Sequence, residues 1–450
     1  MKPMPVAEEK DVYAASFERF AEGAAASDAP WLSSLRLAAM ARFAKTGFPT
    51  TRDEQWKYTS VAPIARTAFA HARGSDGLPI PEGTLAALRL SGPGPQAVFV
   101  NGRHAPSLSQ PGRPAPGVEV RSLGEVLRKQ PERVEPYLGR LTGEGANAFA
   151  ALNTAFLEDG AAVFLSPGAV AEEPIHLVFL STSPGSARVS YPRTLIVAGP
   201  GSRARIVESY GGPSGEVYFT NAVTEIVAGE NAGVEHYKLQ EEGEAAFHVA
   251  TLAVRQERAS RFSNTQIALG AALFRQDIGT VFGGEGGECV LNGLFVGDRA
   301  QHTDTHTRID HAAPHCVSRE LYRGILDGRA RGVFHGLILV RRGAQKTDAY
   351  QTNRNLLLSR EALVNSTPQL EILADDVKCK HGSTTGQLDA GALFYLRSRG
   401  IGEAAARSLL TYAFASEVLQ GIPLENLRAA VGRHLPFPSP GELEIKEAVV

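Results

Sequence analysis

Apolar positions along this chain change period twice. From about Val6 to Lys45 they recur at helical spacing, as in Phe17, Phe20 and Ala24 and again in Leu32, Leu35, Leu37, Met40 and Phe43, with Gly47 and Pro49 closing the run. Leu123 to Leu141 and Ala146 to Glu158 read as further helices, the second stopping at Asp159-Gly160. Between them, Gly74 to Gly117 is a Gly- and Pro-rich connector whose one strand-like run, Ala97 to Val100, ends at the turn dipeptide Asn101-Gly102. The aromatic pair Trp56 and Tyr58, set among charges in 47–59, reads as an anchor onto the body of the protein.

From Ala162 to about Ala374 the pattern becomes one of short runs such as Ile175 to Leu180, Phe247 to Val254 and Val333 to Val340. They recur roughly every 10 to 14 residues between Gly, Asn and Pro-Gly breaks. There are more such runs than one ordinary sandwich holds, and several junctions are single-residue kinks. Small polar residues at expected inward positions (Ser263, Thr265, Asn292, Thr303, Thr305, Thr307) suit stacked ladders, in which each meets a like neighbour in the next coil. The pattern predicts a parallel β-helix, with a sandwich or double-stranded barrel as the alternative.

Helical spacing returns after His381. Thr384 to Gln387 fits a capping box opening a helix to Arg399, a second helix spans Glu403 to Gln420, and a third runs from Leu424 to His434 before Pro436, Pro438 and Pro440. The expected organisation is an N-terminal helical region with connector over 1–160, a β-helix core over 161–375 and a C-terminal helical domain over 376–450. The fold class is mainly β with flanking helices.

Composition narrows the function by exclusion. Among 450 residues, 46 basic and 48 acidic side chains nearly balance, so nothing here draws nucleic acid or anionic lipid. No run approaches the roughly 18 apolar residues that span a bilayer, and the N-terminus runs directly into Glu8, Glu9 and Asp11 without a signal-peptide core. Three cysteines, Cys289, Cys316 and Cys379, include no CxxC pair and form neither a disulfide framework nor a four-thiolate zinc site, which fits a reducing cytoplasm. Gly283-Gly284-Glu285-Gly286-Gly287 is not a dinucleotide fingerprint, and no phosphate-binding G-x-x-x-x-G-K-[ST] occurs.

Two constellations remain. Cys379 and His381 stand at i and i+2 within 375–382, so on a strand a thiolate and an imidazole share one face and reach the same soft metal or iron-sulfur cluster; two ligands do not complete such a site, and a buried Cys beside a solvated His is the plainer alternative. The stretch from His302 to His315, ahead of Cys316, holds four of the twelve histidines, and His302, Asp304 and His306 share a face in the manner of a two-His-one-carboxylate metal site. That leaves a metal-dependent or polysaccharide-acting β-fold enzyme as the alternative function, against a solvated or ladder-forming strand face.

Taken together, the helical front, the strand-rich middle, Asp375-Asp376-Val377-Lys378-Cys379-Lys380-His381-Gly382 and Leu393-Phe394-Tyr395-Leu396-Arg397-Ser398-Arg399-Gly400-Ile401 resemble the SufB/SufD family of iron-sulfur cluster assembly proteins. The 47–59 segment, Asn353 where SufB members carry an essential Cys, and His381-Gly382-Ser383-Thr384 where they tend to have His-Glu-Ala-Thr make the chain most similar to the SufD branch. The resemblance implies a right-handed parallel β-helix and a non-catalytic scaffold subunit that pairs with a SufB-like subunit. It implies docking of a SufC-like ATPase through the C-terminal helices, with Phe394, Tyr395, Leu396, Arg399, Tyr412 and Phe414 as docking candidates. His381, with Cys379 behind it, falls at the SufB interface, where a cluster is assembled transiently and shared. No cofactor is implied for the isolated chain, a reduced flavin in the complex is left open, and a homodimer can form where SufB is absent.

Overall fold

The computed structural model describes residues 6–24, 29–72, 80, 82–113, 115–143, 147–435 and 437. The prolines expected to stop the last helix, Pro436, Pro438 and Pro440, and the first five residues lie outside these. The chain winds into a β-solenoid of about eight turns, each coil giving one strand to each of two parallel sheets that face one another. The parallel β-helix expected from the strand spacing is therefore the architecture, and the sandwich alternative falls away.

Coil length varies, which is why the sequence period is loose. Phe247 pairs with Leu273, 26 residues on, while Arg331 pairs with Leu363, 32 residues on. The differences are absorbed at the turns, and one turn repeats its geometry coil after coil. Gly201, Asn231, Ala259, Gly286, His315 and Lys346 all adopt positive φ there. Each donates its backbone N–H to the corresponding turn of the next coil, for example Asn231 to Arg258 O at 2.9 Å, Ala259 to Glu285 O at 2.8 Å and His315 to Gln345 O at 2.9 Å. Left-handed backbone thus buys a continuous inter-coil hydrogen-bond ladder at the corner.

Both broad outer faces are covered. The N-terminal helices Val6–Ala24 and Pro30–Thr46, with Trp56 and helix Ala148–Ala155, lay Tyr13, Phe17, Phe43, Trp56, Phe149 and Phe156 onto Val189, Tyr191, Phe219 and Val249. On the opposite sheet, Val418, Leu419, Leu427 and Val431 of the C-terminal helices Glu403–Gln420 and Glu425–His434, with Ile422 of the turn between them, pack on Val207, Leu239, Leu294 and Ile325. A strand buried on both faces loses the apolar-polar alternation of a half-exposed one, and Gly160–Leu165 and Ile175–Leu180 are buried throughout.

Several local expectations change. Asn101-Gly102 does turn a hairpin between Gln96–Val100 and Arg103–His104, both turn residues having positive φ. The helix expected over Leu123 to Leu141 ends at Lys129, because Pro131 has no N–H to continue it. Thr384 does not cap a helix: strand pairing takes it, and Asp389 caps Ala390–Ser398 by accepting from Ala392 N at 2.6 Å. The sheet ladder also crosses both expected boundaries, reaching back to Gln96 and forward to Gly386. Thr303, Thr305 and Thr307 line the interior, where Gln266 Nε2 reaches Thr305 Oγ1 at 3.1 Å. Ser263, Thr265 and Asn292 alternate with the inward Phe262, Asn264 and Leu291 and so face outward.

Candidate interface site at the open end of the solenoid

The two ends of the solenoid differ. At one, Val118–Ser122 and the hairpin Gln96–His104 close the sheets by antiparallel pairing. At the other, Leu363–Ile372 and Lys378–Gly386 are the terminal strands of their sheets, each bonded to a neighbour on one edge only. Their residues are almost all half-buried or exposed, in contrast to every preceding coil. Leu363, Ile372 and Leu373 expose 44%, 41% and 52% of their surface, an apolar rim that a lone protein leaves wet.

Cys379 and His381 both lie on the last of these strands. Ladder register stacks Cys379 on the buried Ala349, and His381 on Gln351, which is 1% exposed, so both occupy inward-facing positions. Since the coil has no successor, inward here means towards the mouth: Cys379 is half-buried and His381 exposed. The expected sharing of one face is present. Burial, with Asp348 nearby, pushes the Cys379 thiol up from its usual range, so as the chain stands it is a protonated thiol. Beside them Ser383 Oγ meets Ser366 Oγ at 2.8 Å, and Ser366 in turn meets the buried Asn353 at 2.8 Å. A thiol and an imidazole at an uncovered mouth can supply two donors to a soft metal centre, and among the described residues no third metal-capable side chain is gathered with them.

Helix Ala390–Ser398 stands next to this mouth with no buried residue. Phe394 and Tyr395 expose 73% and 57% of their surface, Leu396 is half-buried, and the Arg399 guanidinium lies over the Tyr395 ring at 5.2 Å. Tyr412 and Phe414 are placed differently. Both pack against the C-terminal core, with Arg323 stacked 4.6 Å from the Phe414 ring centroid and bonded to Phe414 O at 2.6 Å. These two seat helix Glu403–Gln420 on the solenoid.

His302, Asp304 and His306 do share one face, and the N-terminal segment covers it. Arg275, stacked 4.0 Å over the Trp56 ring, binds Asp304 at 2.5 Å; Thr59 Oγ1 donates to the same carboxylate oxygen and lies 2.8 Å from His302 Nε2. His306 Nε2 sits 3.1 Å from the other Asp304 oxygen and its ring stacks on His335 at 4.7 Å. Burial alone would raise the Asp304 carboxyl, but Arg275 and His306 hold it well below the usual carboxylate range. Its charge is thus engaged by an internal cation, which makes the patch a clamp for 55–59, and among the described residues no group of three metal-capable side chains is gathered. His311 faces the other way, into the interior against Ser318 Oγ at 2.9 Å. Cys316 sits at a turn, within 3.5 Å of Gly284 O.

The charged interior was not anticipated. Lys238 Nζ lies 2.9 Å from His248 Nε2 and 2.6 Å from Gln276 Oε1; His248 Nδ1 is 2.6 Å from Glu242, and Glu208 accepts from Tyr210 at 3.0 Å and Thr224 at 2.9 Å. Burial pulls the Lys238 ammonium down to about 8, against the attraction of Glu208 and Glu242. A second inward group joins Glu320 to Gln351 at 2.6 Å directly beneath His381.

Comparison with known proteins fixes the family. Residues 179–414 match the family described as SUF system FeS cluster assembly, SufBD core domain, and residues 7–177 match the SufBD protein N-terminal region. The chain belongs to the SufBD family of iron-sulfur cluster assembly proteins. It is 32% identical to the iron-sulfur cluster assembly protein SufD of Escherichia coli over 400 residues, covering 87% of this chain and 90% of that one. It is 36% identical over 395 residues to a SufBD family protein of Synechocystis, covering 84% and 85% respectively. The resemblance to the SufD branch thus holds at the level of homology. Among the described residues no helix is long and apolar enough to cross a membrane.

Proposed function

We propose that this chain is the SufD-like, non-catalytic subunit of a cytoplasmic SufBCD-type assembly. Its open coil pairs with a SufB-like subunit, its C-terminal helices dock a SufC-like ATPase, and a nascent iron-sulfur cluster is the cargo held at the shared mouth. The observation that carries this reading is the unfinished coil: two edge strands with free backbone donors and acceptors, rimmed by Leu363, Ile372 and Leu373, with Cys379 and His381 at inward-facing positions. Edge strands of this kind are completed by further strands, and a partner with a like coil would extend both ladders while enclosing the thiol and imidazole.

Two donors from this chain and the rest from the partner make a cluster that belongs to neither subunit alone. The exposed Phe394 and Tyr395 on a helix with no buried face supply an aromatic anchor for the ATPase. Nucleotide-driven movement of that helix would act on the neighbouring mouth and vary access to it. A reduced flavin, if the assembly uses one, would be held by the complex. In isolation the same edge would be covered by a second copy of this chain, so mass measurement should show a homodimer that gives way to a heterodimer when the SufB-like subunit is added.

The test is co-expression with the SufB-like and SufC-like subunits. His381→Ala should leave co-purification intact and sharply lower the iron and sulfide recovered with the complex. Full iron and sulfide content in that variant would remove His381 from the site.

A further inference from the structure

The register beneath His381 singles out a second pair of residues. Glu320 stacks under Gln351, and Gln351 under His381, as successive members of one inward-facing row. Glu320 and Gln351 are 4% and 1% exposed, and Gln351 Nε2 donates to Glu320 Oε2 at 2.6 Å. That bond sets the amide while Glu320 is ionised, because a carboxylate only accepts: the amide nitrogen points down the axis to the carboxyl. The amide oxygen is consequently left over. Gln351 Oε1 is buried and has no hydrogen-bond partner among the described residues, a condition that costs roughly 1–3 kcal/mol unless a donor arrives. The adjacent rung, about 4.8 Å up the ladder, carries the imidazole of His381.

We propose that Gln351, anchored by Glu320, is the positioning residue for His381: its free Oε1 accepts one imidazole N–H, which turns the ring inward, selects its tautomer and leaves the other nitrogen's lone pair directed out of the mouth. Imidazole ligands commonly have their second nitrogen held by an oxygen acceptor in this way, which fixes both ring direction and basicity. Here that acceptor comes from the coil below. Gly336 allows it, since a Cβ there would fall 2.1 Å from Gln351 Nε2 and push the amide off Glu320. The inference rests on the reading of His381 as the interface ligand, and extends it to the residues that aim it.

The experiment is nitrogen-15 NMR of the histidine-labelled full-length chain above the titration range of imidazole, with the His381 signals assigned by their absence in His381→Ala. Wild type should show one dominant tautomer. Gln351→Met, close in volume, should give the mixed shifts of an unrestrained imidazole, as should Glu320→Leu, which frees the amide; Glu320→Gln, which keeps an accepting oxygen, should restore the wild-type pattern. In the co-expressed complex Gln351→Met should lower recovered iron and sulfide roughly tenfold without loss of the partner subunits. Unchanged His381 shifts in Gln351→Met, or in Glu320→Leu should the first variant misfold, would overturn the proposal. The two readings fail separately. Normal iron and sulfide in His381→Ala with a Gln351-dependent tautomer removes the interface site alone, whereas loss of cluster in His381→Ala with a Gln351-independent tautomer removes only the positioning role.

Discussion

Replacing Glu320 by glutamine should stabilise this protein at alkaline pH and not at acid pH. Glu320 is enclosed by Thr307, Tyr322 and Gln351 inside the solenoid, and burial pushes its carboxyl up to about 7 from 4.5, the Thr307 hydroxyl and the hydrogen bond from Gln351 only partly opposing the shift. The folded state therefore holds a proton that the unfolded chain gives up between these values. Stability from this group is full below pH 4.5 and is lost as pH rises through about 7. Each unit is worth about 1.4 kcal/mol, so the native carboxylate costs about 3 kcal/mol above pH 8. Glutamine keeps the volume and the bond to Gln351 and never ionises. Urea unfolding at pH 4.5, 6 and 8.5 should show the variant level with wild type at the lowest pH and more stable by about 3 kcal/mol at the highest, with unchanged m-value. Parallel stability curves for the two proteins across that range would refute the assignment of a neutral interior carboxyl.

Three other outcomes follow from the geometry. Ala259→Gly should raise stability by about 0.5–1 kcal/mol, read as a thermal shift, because φ of 55° penalises an L side chain by more than glycine's extra chain entropy costs. Arg193→Met should cost about 3–5 kcal/mol in urea unfolding and open 139–142 to proteases, since it strands the fully buried Glu225, which also accepts from Gly139 N at 2.8 Å and Leu141 N at 3.0 Å. The double variant Phe394→Ser, Tyr395→Ser should keep the wild-type melting temperature while weakening capture of the SufC-like ATPase at least tenfold in a pull-down titration, for neither ring supports the fold.

How far the fold could be read from the residues depended on whether local signals were left to act alone. Glu403–Gln420 has the bounds its apolar spacing implies, and Asn101-Gly102 turns a hairpin because two positive φ angles are needed within two residues. Thr384 was misread because its capping signal is real but loses to a strand partner, Arg354, distant in sequence. The charged interior was invisible for a related reason. Lys238 and His248 sit on strands where a polar residue ordinarily marks the solvent side, and only the stacking of coils shows that each meets a compensating group from the facing sheet. Cys379 and His381 were found through their spacing, whereas Gln351 and Glu320 carry no motif and become meaningful only in register.

The open coil has a consequence for how rigidity is distributed along the axis. In a stack of repeats each layer is held by the interfaces above and below it, and the layer formed by Leu363–Ile372 and Lys378–Gly386 has one. In the unpaired chain its amides will exchange with solvent soonest, and protection will deepen coil by coil towards the closed end. On the proposed pairing, assembly would do more than cover a surface: it would supply the missing neighbour, so the strand bearing Cys379 and His381 would reach its full order once a partner coil is stacked on it.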